Sequence, residues 1–357
     1  MVVWFESTAI RKRHLFPLVA TLSGTLGARV NLASPDVASA ELADKTLAQV
    51  LKDYQKDERV ALELAPTGSF FRHLKAGGAS LEHSFRWLSK GGLYPQTEAL
   101  VFAAQEERLV TRSLEHFFCT GRSRLFSFQD ASRLCRVCSQ SNETVYHILT
   151  GCNAHSFGPY LRRHDEVLKG VYAALRWTLG VDTCLKPVKE FLTVPRCTSG
   201  EGVTMFWDKC FATSNATDGC NKPDLVVVHR AEKQVYIVEM AVCHESLLLD
   251  REIQKRGKYE RLRQDLARQF AHYECKIIPV VMGALGGYRK SLLEELQKLP
   301  GFTDEVTMKV VDHMQKTVLS LGLSLYKLHT QSAPTRGIDN FRVQPGRVRL
   351  LGAPNTQ

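Results

Sequence analysis

Two acidic side chains in neighbouring strand-like segments could hold a metal ion for phosphodiester chemistry. Asp224 directly precedes the β-branched run Leu225–Val228, and Glu239 lies within a second such run, Val235–Val242. The polar residues between the runs predict a hairpin. If the facing ends of the runs pair, Asp224 stands opposite Glu239, with Cβ atoms about 4.5–5.5 Å apart. Two carboxylates this close repel each other, and either a proton or a hard divalent cation such as Mg²⁺ relieves that repulsion.

The segment after this acid pair supplies lysines. Asp250–Leu266 is highly charged, and its apolar residues recur at helical spacing, which predicts a helix lying on the sheet. Lys255 and Lys258 are three residues apart and therefore share a helix face, and the adjacent Tyr259 ring would anchor the helix. A lysine beside a metal-bound phosphate can orient the attacking water and offset developing negative charge.

Together these residues carry a family resemblance. Pro223-Asp224, then Glu239, then Lys255-x-x-Lys258-Tyr259 resembles the restriction-like endonuclease of site-specific non-LTR retrotransposons, a branch of the PD-(D/E)xK nuclease superfamily. In that branch the superfamily lysine is displaced from the second strand onto the following helix. This sequence follows the branch, because Ala241 stands two residues after Glu239, where a lysine would otherwise be expected.

The resemblance implies a fold, an activity and partners. The expected fold is an α/β restriction-endonuclease-like core, a mixed sheet flanked by helices. The expected activity is Mg²⁺-dependent nicking of target DNA, with Mg²⁺ held by Asp224 and Glu239 and with Lys255, Lys258 and Tyr259 completing the catalytic set. DNA is the expected partner, RNA is the alternative, and the implied location is the nucleus.

The sequence also departs from the family. Glu239 stands where the family usually has aspartate, and Cys243-His244-Glu245 replaces a turn that is often Pro-Gly-Asp. A second interpretation therefore stays open, a non-catalytic nucleic-acid-binding protein that keeps the nuclease fold as a scaffold. The chain contains no Asp-Asp dipeptide, so the family's reverse-transcriptase aspartate pair is missing and a truncated or host-adopted derivative is expected.

A second constellation has the spacing of a metal site. Cys135, Cys138, His147 and Cys152 place three thiols and one imidazole within a short window. Soft ligands at this spacing suit tetrahedral Zn²⁺, and four protein ligands leave no open position for water, which indicates structural zinc. His155 is a rival for the fourth ligand. The pattern is a CCHC zinc knuckle, expected to need its metal in order to fold.

The elements around the knuckle extend the resemblance. Helices are predicted over Glu41–Leu64, Ser80–Lys90 and Pro95–Phe118. The third is similar to the helical linker that precedes the knuckle in the same family. Tyr160–Asp165 resembles the segment that follows the knuckle, and this likeness predicts that His164 packs beside the zinc ligands.

Further elements are predicted along the rest of the chain. Leu168–Leu179 is a predicted helix, and the residues from there to Cys220 read as irregular. Lys276–Met282 is a predicted buried strand, Gly283–Gly287 a plain turn without phosphate-loop spacing, and Asp304–Leu328 a long helix over the sheet.

Composition bounds these interpretations. The 357 residues are 44% hydrophobic and 24% charged, as in a globular protein, and the net charge of +10 favours a polyanionic partner. Ten cysteines at this length indicate a reducing compartment with a metal site. No run of 18 apolar residues occurs, so no membrane partner is expected. The predicted divisions are a helical linker region (1–130), the knuckle with its following helix (131–180), the nuclease domain (181–330) and a basic disordered tail (331–357).

Overall fold

The computed structural model describes residues 69–90, 92–120, 132–191, 193–212 and 221–331. The predicted helix Glu41–Leu64 and nearly all of the predicted tail lie outside these residues. The described helices are α1 (Ser69–Ala76), α2 (Leu81–Ser84), α3 (Arg86–Lys90), α4 (Pro95–Gln105), α5 (Arg112–Thr120), α6 (Pro159–Thr178), α7 (Leu248–Gln269), α8 (Ser291–Leu296) and α9 (Asp304–Gln331).

The described strands form one mixed sheet of five. They are β1 (Cys197–Gly200), β2 (Val203–Trp207), β3 (Leu225–His229), β4 (Gln234–Cys243) and β5 (Glu274–Gly283), and they lie in chain order across the sheet. The first four pair antiparallel, and β5 pairs parallel to β4 after the chain crosses over through α7. The expected α/β core with a mixed sheet flanked by helices is therefore present.

Side chains of the central strands alternate between two apolar layers, because successive residues of a strand point to opposite faces. On one face, Leu225 and Val227 of β3 join the largest buried cluster, which also includes residues of α6, α8 and α9. On the other face, Val226 and Val228 pack with residues of α7. The helices cover both faces, so β3 and β4 are buried almost throughout and their few polar residues need partners.

A further buried cluster joins parts of the chain that the sequence assigned to different regions. Phe70, Trp87 and Val101 from the N-terminal helices pack with Tyr146 from the predicted metal-binding segment (residues 132–158) and with Leu319 from α9. The described residues all lie within one compact unit. The last helix is therefore the common support of the N-terminal helices, the metal-binding segment and the sheet.

Several boundaries differ from the sequence predictions. The region before Cys220 is not wholly irregular, because β1 and β2 form a hairpin that extends the sheet beside β3. The single helix predicted over Pro95–Phe118 is two helices, since Glu107 adopts a left-handed backbone with φ 52° that ends the first. The helix predicted to start at Leu168 starts at Pro159, whose ring fits a first helical turn.

Other elements match their predictions closely. The strand predicted over Lys276–Met282 is confirmed as β5, and the turn at Gly283–Gly287 is closed by a hydrogen bond from the Gly283 N–H to the Gly287 carbonyl. Gly283 is required by a close approach, because a Cβ there would lie 2.4 Å from Glu245 Oε1. Within the described parts of the chain, no helix combines the length and the apolar character that crossing a membrane requires.

Candidate active site and metal centre

The acid pair, Asp224 and Glu239, meets where the hairpin of β3 and β4 positions it. Leu225 is registered with Val238, so the preceding Asp224 stands opposite Glu239 as predicted. The Asp224 backbone N–H donates to Glu239 Oε1 at 2.9 Å, and the Met240 N–H donates to Asp224 Oδ2 at 2.8 Å. Glu239 is fully buried, so the strand backbone holds both carboxylates in fixed positions.

Lys255 reaches this acid pair from α7. Its Nζ lies 2.7 Å from Glu239 Oε2 and 3.9 Å from Asp224 Oδ2. Tyr259 fixes the position of α7 over the sheet, because its buried side chain donates its hydroxyl to the Lys222 carbonyl at 3.0 Å. Lys255 thus supplies from the helix the ammonium that Ala241 cannot supply from the strand.

Lys258 is placed differently from Lys255. Its ammonium lies 2.8 Å from the Tyr259 hydroxyl and 4.5 Å from the centre of the Tyr259 ring. Among the described contacts it meets neither carboxylate of the acid pair. The shared helix face predicted for the two lysines therefore does not bring both ammonium groups to one point, because the Tyr259 side chain holds Lys258 beside its own ring.

His164 is a site residue that the sequence analysis placed elsewhere. It was expected to pack beside the zinc ligands, but its Nε2 donates to Asp224 Oδ2 at 3.1 Å, and its Nδ1 lies 3.0 Å from Asp165 Oδ1. The earlier start of α6 at Pro159 carries His164 to the end of the sheet. No local motif links the histidine to an aspartate sixty residues further along; the His-Asp dipeptide early in a long helix was the only available signal.

The charges at the site shift the three titrating groups in different directions. Burial would raise the pKa of Asp224, but the hydrogen bond from His164, the Lys255 charge and the Met240 N–H outweigh burial and lower that pKa. Burial and the Asp224 charge raise the pKa of Glu239, although Lys255 opposes them. Burial lowers the pKa of His164, but Asp165 and Asp224 outweigh it and raise that pKa to about 9. At neutral pH His164 is therefore an imidazolium facing Asp224.

Cys135, Cys138, His147 and Cys152, hereafter the Cys/His cluster, come together as predicted. Their ligand atoms all lie within 4.8 Å of one another. The Cys135 and Cys152 sulfurs are 3.9 Å apart, and Cys138 Sγ is 3.3 Å from His147 Nε2. A tetrahedral Zn²⁺ holds two sulfurs about 3.8 Å apart and a sulfur and a nitrogen about 3.5 Å apart. The cluster could therefore bind a metal ion such as zinc.

Two features prepare the Cys/His cluster for a metal. The thiols of its three cysteines are free, not joined in disulfides. Burial, together with the nearby His329, lowers the pKa of His147, which favours the neutral imidazole that ligates metals. His147 and Cys152 bracket a short π-helical turn, His147–Gly151, that brings the imidazole back toward Cys138.

The rival ligand His155 lies directly beside the Cys/His cluster. With Cys152 and His329 it forms a second group of metal-ligating atoms within 4.8 Å, and Cys135, Glu143 and His329 form a third. His329 lies in the last turn of α9, far from the cysteines in sequence, and the sequence analysis did not identify it. The three groups share their cysteines, so they describe one metal centre with an extended set of neighbours.

Comparisons with known proteins do not assign a family. No protein-family model matches the chain, and no curated protein is similar to it.

Proposed function

We propose that the protein is a Mg²⁺-dependent DNA endonuclease of the restriction-like PD-(D/E)xK type, with structural zinc in the Cys/His cluster. The observation that carries the proposal is the position of Lys255, whose ammonium lies against Glu239 and within 3.9 Å of Asp224. Two acids on paired strands with a lysine from the next helix are the parts that the sequence resemblance predicted for this chemistry. A derivative of a non-LTR retrotransposon that acts in the nucleus remains the origin and location that we favour.

The acid pair fits the metal. Mg²⁺ in nucleotide-handling sites is bound by one or two carboxylates, with water and phosphate oxygens completing its shell. Asp224 uses Oδ2 for its hydrogen bonds from His164 and Met240, and no described residue donates to its Oδ1. Asp224 would hold the ion through its open Oδ1, and Glu239 would hold it beside the Lys255 ammonium that contacts Oε2. Mg²⁺ bound there would polarise the scissile phosphate and lower the pKa of a coordinated water.

The protein groups divide the remaining work of hydrolysis. The water oxygen bonds to phosphorus as the P–O3′ bond breaks; the water releases a proton to solvent, and the departing 3′-oxygen takes one up to become a hydroxyl. Lys255 orients this water and offsets charge on the phosphate oxygens. Asp224 stays ionised, because its pKa is lowered. Tyr259 keeps α7, and hence Lys255, at the required height by its bond to the Lys222 carbonyl.

Charge supports DNA as the partner. The net charge of +10 favours association with a polyanion, and RNA would satisfy the same charge. On α7, however, several arginines are already paired with acids, as Arg256 is with Glu295 and Arg263 with Glu260. The positive surface for DNA therefore draws less on this helix than its composition indicates.

One observation favours the alternative of a non-catalytic nucleic-acid-binding scaffold. The imidazolium of His164 and the ammonium of Lys255 together balance the two negative charges of the acid pair without a metal. Because a buried carboxylate without a compensating cation is strongly destabilising, these two cations can fill the role that a metal would otherwise have in the fold. In that case the site would hold the sheet and helices together and would leave DNA intact.

Nicking of supercoiled plasmid by the purified full chain separates these two functions. Wild-type protein should nick with Mg²⁺ or Mn²⁺ and stop in EDTA. Asp224→Asn keeps one acceptor oxygen for the donors of His164 and Met240 but removes the charge that holds the ion, so it should not nick. The matched change Asp250→Asn at an exposed position of α7 should be neutral. Wild-type protein that binds DNA but never nicks it would favour the scaffold.

A further inference from the structure

The last helix reaches into the metal centre through a buried histidine. His329 is fully buried, and its Nε2 lies 3.7 Å from Cys135 Sγ and 3.1 Å from Glu143 Oε2. Its Nδ1 lies 2.8 Å from His155 Nε2. Each ring nitrogen of His329 therefore faces partners on the metal-binding segment.

Glu143 fixes the side of this arrangement that is remote from the metal. Both of its carboxylate oxygens accept from the Arg136 guanidinium, and its Oε1 also accepts from the Arg112 N–H at 3.0 Å. The Arg136 N–H donates to Oε2 at 2.8 Å, and Glu143 itself is buried. With so many donors Glu143 is a fixed anion, and its Oε2 can only accept from His329.

The contacts determine where the protons of the two histidines lie. His329 Nε2 faces a carboxylate oxygen and a sulfur, both acceptors, so this nitrogen carries the proton. His329 Nδ1 then accepts the proton of His155 Nε2. Two nitrogens 2.8 Å apart are at hydrogen-bond distance, so the His155–His329 contact is a hydrogen bond.

The geometry points to His329 as a positioning residue of the metal centre. Its single Nε2–H is shared between Glu143 Oε2 at 3.1 Å and the Cys135 sulfur at 3.7 Å, and His329 thereby ties that sulfur to the fixed Glu143 carboxylate without ligating the ion. Groups that hydrogen-bond to metal ligands orient them, and their loss commonly weakens metal binding about 10- to 100-fold. The metal centre then links the knuckle segment to the end of α9, and this structural link does not depend on nuclease activity.

Another hydrogen bond also holds the end of α9 beside the metal centre. Tyr326, one turn before His329, donates its hydroxyl to the Val110 carbonyl at 2.9 Å. The Val110 segment leads into α5, whose first turn contains the Arg112 N–H bound to Glu143. Loss of the metal should therefore loosen the last turns of α9 together with the start of α5, and not the Cys/His cluster alone.

The test compares His329→Gln, His329→Ala and His313→Gln in the full chain. Glutamine keeps an N–H that can donate to Cys135, alanine removes it, and His313 lies on the same helix away from the cluster, beside Gly170. Each protein is loaded with Zn²⁺ or Co²⁺. Release to a chromophoric chelator and amide hydrogen exchange over residues 320–331 are then measured.

We expect one metal per chain in all three variants and the same thiolate-to-cobalt absorption. His329→Ala should release metal about 10- to 100-fold faster than wild type, His329→Gln should recover much of that loss, and His313→Gln should be unchanged. Chelation should speed exchange at the end of α9. Two metals per chain, or a cobalt spectrum altered in both His329 variants, would make His329 a ligand and overturn the inference. Unchanged release from a folded His329→Ala protein would also overturn it.

Discussion

The two candidate metal-binding regions are assembled in opposite ways. The Cys/His cluster takes all its ligands from residues 135–152, while the acidic site combines α6, the start of β3, β4 and α7. The first is defined by local spacing and the second by strand register and helix packing. A local set of thiolates needs the metal to hold it together, whereas the acidic site is already charge-balanced by His164 and Lys255. We therefore expect that loss of a metal from the Cys/His cluster would destabilise the fold. Loss of Mg²⁺ from the acid pair would stop nicking and leave the fold intact.

Removal of the soft ligands should have the largest effect. Structural zinc in small modules contributes on the order of 10 kcal/mol to folding at neutral pH. Cys135→Ser with Cys138→Ser should abolish zinc binding, measured by metal analysis of freshly purified reduced protein, and should unfold the segment around the cluster. His147→Ala should lose the metal and His155→Ala should keep it. The reverse result would make His155 the fourth ligand.

The lysines test how the acidic site uses its neighbours. Lys255→Met removes the ammonium beside Glu239 and should slow nicking by about 10² to 10³ at fixed Mg²⁺, the scale for one preorganised donor. Lys258→Met should slow it less than about tenfold, because Lys258 meets the Tyr259 ring instead. Initial nicking rates at matched DNA occupancy provide the measurement. Equal losses from both changes would restore the shared role expected from the sequence.

Glu245 shows the effect of burial on a carboxylate that has no cation like Lys255 or His164 bound to it in the described hydrogen bonds and ion pairs. Glu245 is fully buried next to Gly283, and burial raises its pKa to about 7, although the Leu285 N–H opposes the shift. A carboxyl with a raised folded-state pKa stabilises most below its unfolded value of about 4.5, and this stability is lost as the pH rises to about 7. Relative to Glu245→Gln, wild type should lose roughly 3 kcal/mol over that window. Denaturant unfolding at several pH values measures it, and parallel pH profiles would contradict it.

A modest effect is expected at His164, and its sign is informative. The His164 imidazolium faces Asp224, so it would repel a Mg²⁺ ion bound to the same carboxylate. His164→Gln should lower the Mg²⁺ concentration for half-maximal nicking by about tenfold, because it removes that positive charge. A Mg²⁺ titration of the nicking rate gives the value, with Asp250→Asn as the control. A higher Mg²⁺ requirement would mean that His164 supports the metal-binding carboxylate and does not compete with the ion.

The features that depend on residues close together in the sequence could be predicted from it. The hairpin register followed from two β-branched runs, so the cross-strand position of Asp224 and Glu239 was predictable, and the spacing of the cysteines identified the cluster. His164 and His329 could not be identified in this way, because their partners are brought near only when α6 and α9 pack. Both act on residues that local patterns had already identified.

The boundaries that were wrong have the same cause. The helix expected over Pro95–Phe118 has continuous helical composition, but Glu143, far along the chain, accepts from the Arg112 N–H and so begins a second helix there. The short strands β1 and β2 lack a long β-branched run; β2 gains its order from pairing with β3, and β1 from pairing with β2. Tertiary contacts therefore determine where these helices and strands begin and end, and local sequence propensity does not predict those contacts.

The central claim is that the acid pair holds a catalytic metal, and substitution of Glu239 tests it most directly. The nicking rate is measured against Mg²⁺ concentration for wild type, Glu239→Asp and Glu239→Gln, with DNA binding checked for each. We expect Mg²⁺-dependent nicking by wild type, reduced but measurable nicking by the aspartate variant, and none by the glutamine variant while DNA binding stays nearly intact. Nicking by Glu239→Gln at the wild-type rate, or wild-type nicking that continues in EDTA, would contradict this claim.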